Sequence, residues 1–303
     1  MQAIVFEEFG GPEVLRLKEI EEPHAGPGEV RVKVRAAGVN PADVKIRRGW
    51  FEVVRATTFP AIPGLEVAGI VDELGEGVTD LAVGDEVVGW SKSGAYAEHA
   101  LVGVVAKKPA ELPWDQAVAL PVAGETSARV LGQLGVRQGE TVLVNGAAGG
   151  VGAVAVQLAV ALGATVIGTA SEANHDYLRS LGAVPVTYGD GLVERVRTAA
   201  PQGVDAVFDV AGGGALPDSI ELRGGTDRII TIADPAAQEL GVPFSSGGTP
   251  PEQQKAGLAE QLELAADGKL RLKVTETFAL ADAGKAQDVS EAGHAGGKLV
   301  VIP

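Results

Sequence analysis

The chain has no cysteine among its 303 residues, which excludes disulfides, Cys-ligated zinc, iron–sulfur clusters and every thiol nucleophile at once. That composition fits a reducing compartment, and a cytoplasmic location is the expectation, although secreted proteins can also lack Cys. There is no basic run either: 40 Asp+Glu face 25 Lys+Arg, for a formal charge of −15. This balance opposes the counterion release that drives binding to nucleic acid or anionic lipid, so neither is an expected partner. The opening MQAIVFEEFGG lacks the basic and apolar regions of a secretory leader and reads as unprocessed and soluble. Internal repeats and low-complexity tails are missing as well.

Charge itself is missing between Glu140 and Glu172. Val151 to Ala170 is apolar enough for a membrane helix, which needs ~20 such residues. Its interior argues otherwise: Gly163 interrupts the run, Gln157 sits within it, and Thr165 and Val166 begin a β-branched segment. A strand, turn, helix, strand unit buried on both faces accounts for the same residues, so no membrane association is expected.

The length suggests two domains at about 150 residues each. The N-terminal part reads as β-rich. Apolar and basic residues alternate through Val30-Arg31-Val32-Lys33-Val34-Arg35, and short apolar runs at Val67–Val71, Glu86–Trp90 and Leu101–Val105 are separated by glycine turns. That spacing suits a compact, partly open barrel. After Pro121, strand and helix patterns alternate: strands at Thr141–Val144, Ala164–Gly168, Val204–Val210 and Arg228–Ile232, with helices at Val151–Leu162 and Asn174–Leu181. Such alternation implies right-handed crossovers and a doubly wound parallel sheet, so the fold class is α/β, a Rossmann nucleotide domain beside a β-rich one. Ser245–Pro251 reads as a linker, followed by an amphipathic helix at Glu252–Ala266 and strands at Leu270–Thr275 and Lys298–Ile302.

The strongest motif is VLVNGAAGGVGAVAVQLA, Val142 to Ala159, in which a buried strand runs through a glycine turn directly into a helix. Ala147-Ala148-Gly149-Gly150-Val151-Gly152 reads as a variant of G-x-G-x-x-G with Ala at the first glycine. Gly149 allows the backbone to approach a pyrophosphate, Gly152 allows close helix packing, and the N–H groups of Gly150, Val151 and Gly152 face the anion with the helix dipole behind them. The second strand ends at Ser171, where an NAD-selective site places a carboxylate for the ribose 2′-OH. A hydroxyl removes the repulsion of a 2′-phosphate, so NADP(H) is preferred to NAD, although Glu172 follows and no Lys or Arg is adjacent.

The glycine run, together with AAGVNPADVKIRRG (Ala36–Gly49), PAIPGLEVAG (Pro60–Gly69), TASEANHDYLRSLGA (Thr169–Ala183) and the terminal GHAGGKLVVIP, resembles the zinc-independent quinone oxidoreductase branch of the medium-chain dehydrogenase/reductase superfamily. The likeness runs in order over nearly the whole chain. It implies a GroES-like catalytic domain over residues 1–122, a Rossmann NADP-binding domain over 123–247, and a return to the catalytic domain over 248–303. The zinc branch carries Cys where this chain has Asn40 and His where it has Leu65, and retains the Glu at Glu66. His24, His99, His175 and His294 show no metal-ligand spacing and read as surface or packing residues, so no metal site is expected.

The resemblance also implies site residues. Asn40 and Asp43 would line the cleft beside the nicotinamide, with Asn40 offering its amide to an oxyanion or to the cofactor ribose. The competing readings are an Asx-turn before Pro41 and a helix cap. Where family members often carry a Tyr, this chain has Trp50-Phe51, which suggests an aromatic wall for flat acceptors, with a core contact as the alternative for either ring. Thr126 would lie near the nicotinamide ribose, preceded by Glu125 in place of the usual Leu. Asn174 falls where a phosphate-binding Lys often sits, and Tyr188 matches a Tyr that reaches the phosphate region. Ala211, Ile232 and Ala233 follow the fourth and fifth strands, where an open parallel sheet exposes its crevice. Tyr96 also fits the family but reads as structural.

The function expected from these features is hydride transfer from NADPH to a quinone or activated enone without a metal, with the proton drawn largely from solvent. An enoyl-thioester reductase of the same fold and a non-catalytic NADPH-binding sensor are the alternatives. A homodimer through an edge strand at Val242–Ser245 is the expected assembly.

Overall fold

Local sequence pattern accounts for most elements of this computed structural model, which describes residues 1–52, 56–293 and 295–303. Two units are present, residues 1–122 with 251–303, and residues 123–250.

The first unit begins with an antiparallel ribbon, β1 (Gln2–Val5) and β2 (Arg16–Glu19). The alternating segment becomes β3 (Val30–Val39), in which Val30, Val32 and Val34 are buried while the basic residues between them face outward. After α1 (Pro41–Arg47) come β4 (Glu66–Leu74), β5 (Glu86–Ser91), β6 (His99–Lys107) and the short α2 (Trp114–Ala117). The strands β3 to β6 pair antiparallel in sequence, and the first residues of β3, Val30 to Lys33, also pair with β6. That extra pairing closes a small barrel around a valine-rich core.

The second unit carries α3 (Pro121–Leu134), whose first two residues belong to the first unit, then β7 (Thr141–Asn145), α4 (Gly150–Ala161), β8 (Thr165–Thr169), α5 (His175–Ser180), β9 (Val184–Val186), α6 (Leu192–Ala199), β10 (Ala206–Asp209), α7 (Leu216–Arg223) and β11 (Ile229–Thr231). The five strands form one parallel sheet in the order β11-β10-β7-β8-β9. The uncharged run therefore divides into the core of β7, α4 and β8. Its uniform hydrophobicity follows from burial on both faces, and no helix among the described residues is long and apolar enough to cross a membrane. Phe244 adds a parallel bridge to Thr231, continuing the sheet beyond β11.

The chain returns to the first unit with α8 (Pro251–Ala266), β12 (Val274–Ala279), α9 (Ala283–Glu291) and β13 (Lys298–Ile302). A strand at Leu270–Thr275 is not formed; the strand starts at Val274. The amides of Lys269 and Leu270 both donate back to Leu264 O, at 2.8 and 3.0 Å, behind a left-handed Gly268. Leu270 thus finishes the helix as the buried residue of its C-terminal cap. The strand β13 pairs with the last residues of β3, Ala37 to Val39, so β3 is shared between the barrel and its extension.

Candidate functional site

In the second unit the glycine turn joins β7 to α4. Gly146, just before Ala147, is a further glycine that the turn requires: it is left-handed at φ 78°, and a Cβ there would lie 2.8 Å from Ala211 Cβ. The G-x-G-x-x-G spacing, which begins at Ala147, does not include it. Gly152 sits against this turn so closely that a Cβ would come within 2.2 Å of Gly146 O. Gly149 and Gly150 differ. A Cβ on Gly150 would meet nothing within 4 Å, and one on Gly149 only the Gly146 carbonyl at 3.5 Å. The first helical bond of α4 runs from Ala153 N to Gly149 O at 2.9 Å, so the amides of Gly150, Val151 and Gly152 have no acceptor within the helix. Open space at the Cβ positions of Gly149 and Gly150, beside three amides without a helical acceptor at a positive dipole end, fits a diphosphate. Ala148 is buried in the same turn.

Around the turn, Ser127 on α3 donates to Val151 O at 3.0 Å and ties the two helices together. Thr126 beside it is nearly buried, and its hydroxyl reaches Glu125 Oε2 at 3.4 Å. Glu125, the departure from the family's Leu, accepts from Arg129 at 2.7 Å and from Thr249 at 2.5 Å. Arg129 in turn bonds Ser245, whose hydroxyl donates to Gln133 at 2.8 Å. This network pins the segment that carries Phe244.

At the far ends of the strands, Ser171 and Asn174 meet through Asn174 Nδ2 to Ser171 Oγ, 3.1 Å. Tyr188 follows β9 and is half exposed, at 53 %. Ala211, Ile232 and Ala233 follow β10 and β11, and their loops are organised by a buried pair that carries no local signal in the chain. Thr231 Oγ1 donates to Asp209 Oδ2 at 2.6 Å and accepts from the amides of Ala233 and Asp234, while Asp209 Oδ1 accepts from Gly212 N. Burial pushes the Asp209 carboxyl upward against the opposing pull of these hydrogen bonds.

The first unit holds a second polar cluster. The register Leu299↔Val39 places Lys298 beside Asn40, and Ala37↔Val67 places Glu66 beside Gly38. Gly38 leaves room for the carboxylate, since a Cβ would fall 2.1 Å from Glu66 Oε1. Asn40 Nδ2 donates to Glu66 Oε1 at 2.8 Å, Lys298 Nζ donates to Asn40 Oδ1 at 2.8 Å, and Lys298 also pairs with Glu66 Oε1. Glu66 Oε2 accepts from Val122 N at 2.8 Å. All three side chains are buried. Because Lys can only donate and a carboxylate only accept, the amide of Asn40 has one possible orientation.

Asn40 is the N-cap of α1, and its backbone N–H donates to Asp43 Oδ2 at 2.8 Å. Asp43 is therefore the third residue of a capping box and not the cap itself. Its carboxyl is pushed up to about 7, chiefly by burial and further by the nearby Glu66. Tyr96, fully buried, places its hydroxyl 3.5 Å from Asp43 Oδ2, and burial drives the phenol well above its usual range. Gln287, fully buried, lies close to Tyr96. Neither Lys298 nor Gln287 carries a local signal in the sequence.

Trp50 and Phe51 lie in the turn after α1. Trp50 is 65 % exposed, so a core contact does not hold for it, and Phe51 is half-buried. The aromatic packing near this turn comes instead from Phe59, whose ring stands edge-on to Phe6 and Phe9 at centroid distances of 5.6 and 5.0 Å. Among the described residues no group of three or more His, Asp or Glu side chains is arranged to hold a metal. His24 and His99 lie against Glu73 and Asp72, while His294 is outside the described residues.

Comparison with known proteins agrees with these features. Residues 26–121 match the alcohol dehydrogenase GroES-like domain, and residues 181–301 match the zinc-binding dehydrogenase family. The quinone oxidoreductase of Lama guanicoe is 33 % identical over 326 aligned positions, covering 100 % of this chain and 97 % of that protein. The synaptic vesicle membrane protein VAT-1 homolog of Rattus norvegicus is 35 % identical over 76 % of this chain, and the chain spans only 59 % of that relative's length. The crystal structure of Escherichia coli quinone oxidoreductase complexed with NADPH superposes with a TM-score of 0.88 at 28 % identity, covering 100 % of both chains.

Proposed function

The chain belongs to the quinone oxidoreductase branch of the medium-chain dehydrogenase/reductase superfamily, and from that premise we propose that it is an NADPH-dependent, metal-free reductase acting on a quinone or activated enone. The observation that carries the reading is the open space at Gly149 and Gly150 beside three amides that have no acceptor within the helix. Reduced nicotinamide, when bound, supplies the hydride, and the protein is left to bind, orient and polarise.

Asn40 is the polarising group in this reading. One hydrogen of its amide goes to Glu66 and its oxygen is held by Lys298. The second amide hydrogen is then the donor left for a developing oxyanion, in an orientation that costs no rearrangement. Reduction of an enone or quinone also consumes a proton. Asp43 and Tyr96 are sealed from solvent at 1 % and 0 % exposure, which favours water over either side chain as its source. Thr126, Ser171, Asn174 and Tyr188 are the proposed contacts for the ribose and phosphate groups, and the segment at Phe244 is the proposed edge for a homodimer.

The test is purified protein with NADPH and a panel of quinones, enones and enoyl thioesters. The expected result is loss of the reduced cofactor's absorbance with quinones or enones. Turnover confined to thioesters would change the substrate class, and tight NADPH binding without turnover on any acceptor would replace the enzyme by a sensor.

A further inference from the structure

We infer that Arg195 determines the preference of this chain for a dinucleotide that carries a 2′-phosphate. The inference rests on the nucleotide-binding reading above and adds to it a residue remote from the glycine turn.

The strands β8 and β9 lie side by side and parallel, with Thr169 opposite Val186 and Ala170 N donating to Val186 O at 3.0 Å. Ser171 and Tyr188 each come two residues beyond that matched pair, so the register carries both to the same stretch of the sheet's C-terminal edge. Asn174 joins them through its bond to Ser171. These three groups offer hydroxyls and an amide but no positive charge, and Glu172 beside them carries the wrong sign. A phosphomonoester near neutral pH carries about −1.5 to −2 charges. Neutral donors alone leave most of that uncompensated.

Arg195, on α6, supplies the missing charge. Its Nε donates to Thr187 O at 2.8 Å, Nη1 to Asp190 O at 2.8 Å, and Nη2 to Tyr188 O at 3.3 Å and Gly189 O at 3.0 Å. Four consecutive carbonyls thus close around one guanidinium, and the loop they belong to is the one that presents Tyr188. Gly189 and Gly191 are both left-handed and let the loop curl this way; a Cβ on Gly191 would lie 3.1 Å from Arg195 Nη1.

Among the described residues Arg195 has no counter-charge, unlike five of the six other arginines of its unit. In the same unit Arg129, Arg179, Arg197, Arg223 and Arg228 each pair with a carboxylate. Arg195 pairs with none among the described residues, in a chain whose formal charge is −15. Carbonyl dipoles fix its position without cancelling its charge. A fixed cation with no partner acid, beside neutral donors at a strand end, is what a phosphate needs and what a plain ribose hydroxyl does not.

The test measures Kd for NADPH and for NADH by calorimetry on the full chain, with Arg195→Met and Arg195→Lys, each checked for folding by its thermal transition. Loss of the attraction should weaken NADPH binding about tenfold in Arg195→Met and leave NADH unchanged. The slope of NADPH affinity against salt should flatten in parallel. Arg195→Lys, which keeps the charge, should retain most of the preference. Should the Met variant fail to fold, Arg195→Gln, which can still donate to the loop, carries the same expectation. Equal losses for both nucleotides would reduce Arg195 to a loop scaffold and overturn the inference, as would an unchanged ratio. A wild-type chain that binds neither nucleotide would instead sink the cofactor reading itself.

Discussion

Lys298 and Glu66, 232 residues apart in the chain, form a buried ion pair that closes on Asn40. Two ladders of β3 bring them together, one to β4 and one to β13. Removing one partner strands a charge in a low-dielectric interior, whereas removing both does not. Lys298→Met should therefore cost about 3–5 kcal/mol of stability, and Glu66→Gln added to it should recover a part. Urea denaturation of the two variants tests this; an unchanged midpoint in Lys298→Met would mean that the pair contributes nothing.

The glycine turn separates structural glycines from open ones. At Gly152 the Cβ of alanine would collide with the Gly146 carbonyl, so Gly152→Ala should destabilise by about 1–3 kcal/mol through forced displacement of α4. Gly150→Ala meets no protein atom and should gain up to about 1 kcal/mol of helix propensity. If a diphosphate lies there, the same Gly150→Ala variant should lose nucleotide affinity by at least about tenfold, roughly one lost charge-assisted hydrogen bond. Thermal melts and nucleotide titration of both variants test this; unchanged affinity in Gly150→Ala would mean that the cradle is not a ligand site.

Asp43 gives the fold a dependence on pH that is opposite in sign to that of an ordinary paired carboxylate. Its folded value of about 7 lies above the ordinary aspartate value of 3.8. Between these two pH values the folded state holds a proton that the unfolded chain has released, so stability falls as pH rises. The contribution is fully present below the unfolded value and lost as pH passes through about 7. Its size is on the order of a few kcal/mol. Asp43→Asn, which can still accept from Asn40 N, should flatten the decline in stability between pH 5 and 8, measured by denaturant midpoints across that range; an unaltered slope would refute the assignment.

Acid lability should follow from Glu140. Both of its oxygens are held by Arg228, at 2.8 and 2.7 Å, and this pairing lowers its carboxyl to about 2 from 4.5. The folded value is depressed, so the stabilisation is present above the unfolded value and disappears as pH falls through about 2. Arg228 also donates to Leu134 O at 3.0 Å, which anchors the end of α3 near the start of β11. Glu140→Gln should lower the melting temperature at pH 7 and make the loss on acidification shallower, with no change expected if the pair were mere surface decoration.

How far the site was legible follows the range of the interactions. The capping of α1 by Asn40 and Asp43 is local, and a polar pair three residues apart before an apolar run announces it. The turn at Val142–Ala159 is announced by glycines between a strand and a helix, though the need for glycine at Gly146 comes from its approach to Ala211, which is remote in sequence. Glu66 drew notice only through resemblance, and its partner Lys298 not at all. Arg195 sits in an ordinary charged helix whose sequence gives no sign that its side chain folds back onto four carbonyls. The displaced strand near Leu270 failed for a related reason: an apolar residue after a helix can end that helix as readily as it can begin a strand.

The order of residues by itself determined the α/β class, the barrel strands and the parallel sheet, because hydrophobic period and turn chemistry act over a few neighbouring positions. It also determined that no thiol or disulfide could take part, since the atoms are not there. Only the tertiary structure decided that Lys298 and Glu66 lock the amide of Asn40, that Thr231 and Asp209 organise two strand ends, and that Arg195 keeps an uncancelled charge beside Tyr188. Each of those contacts depends on which strands lie side by side and in what register, or on which way a long side chain folds, and neither is written in the local pattern of the chain.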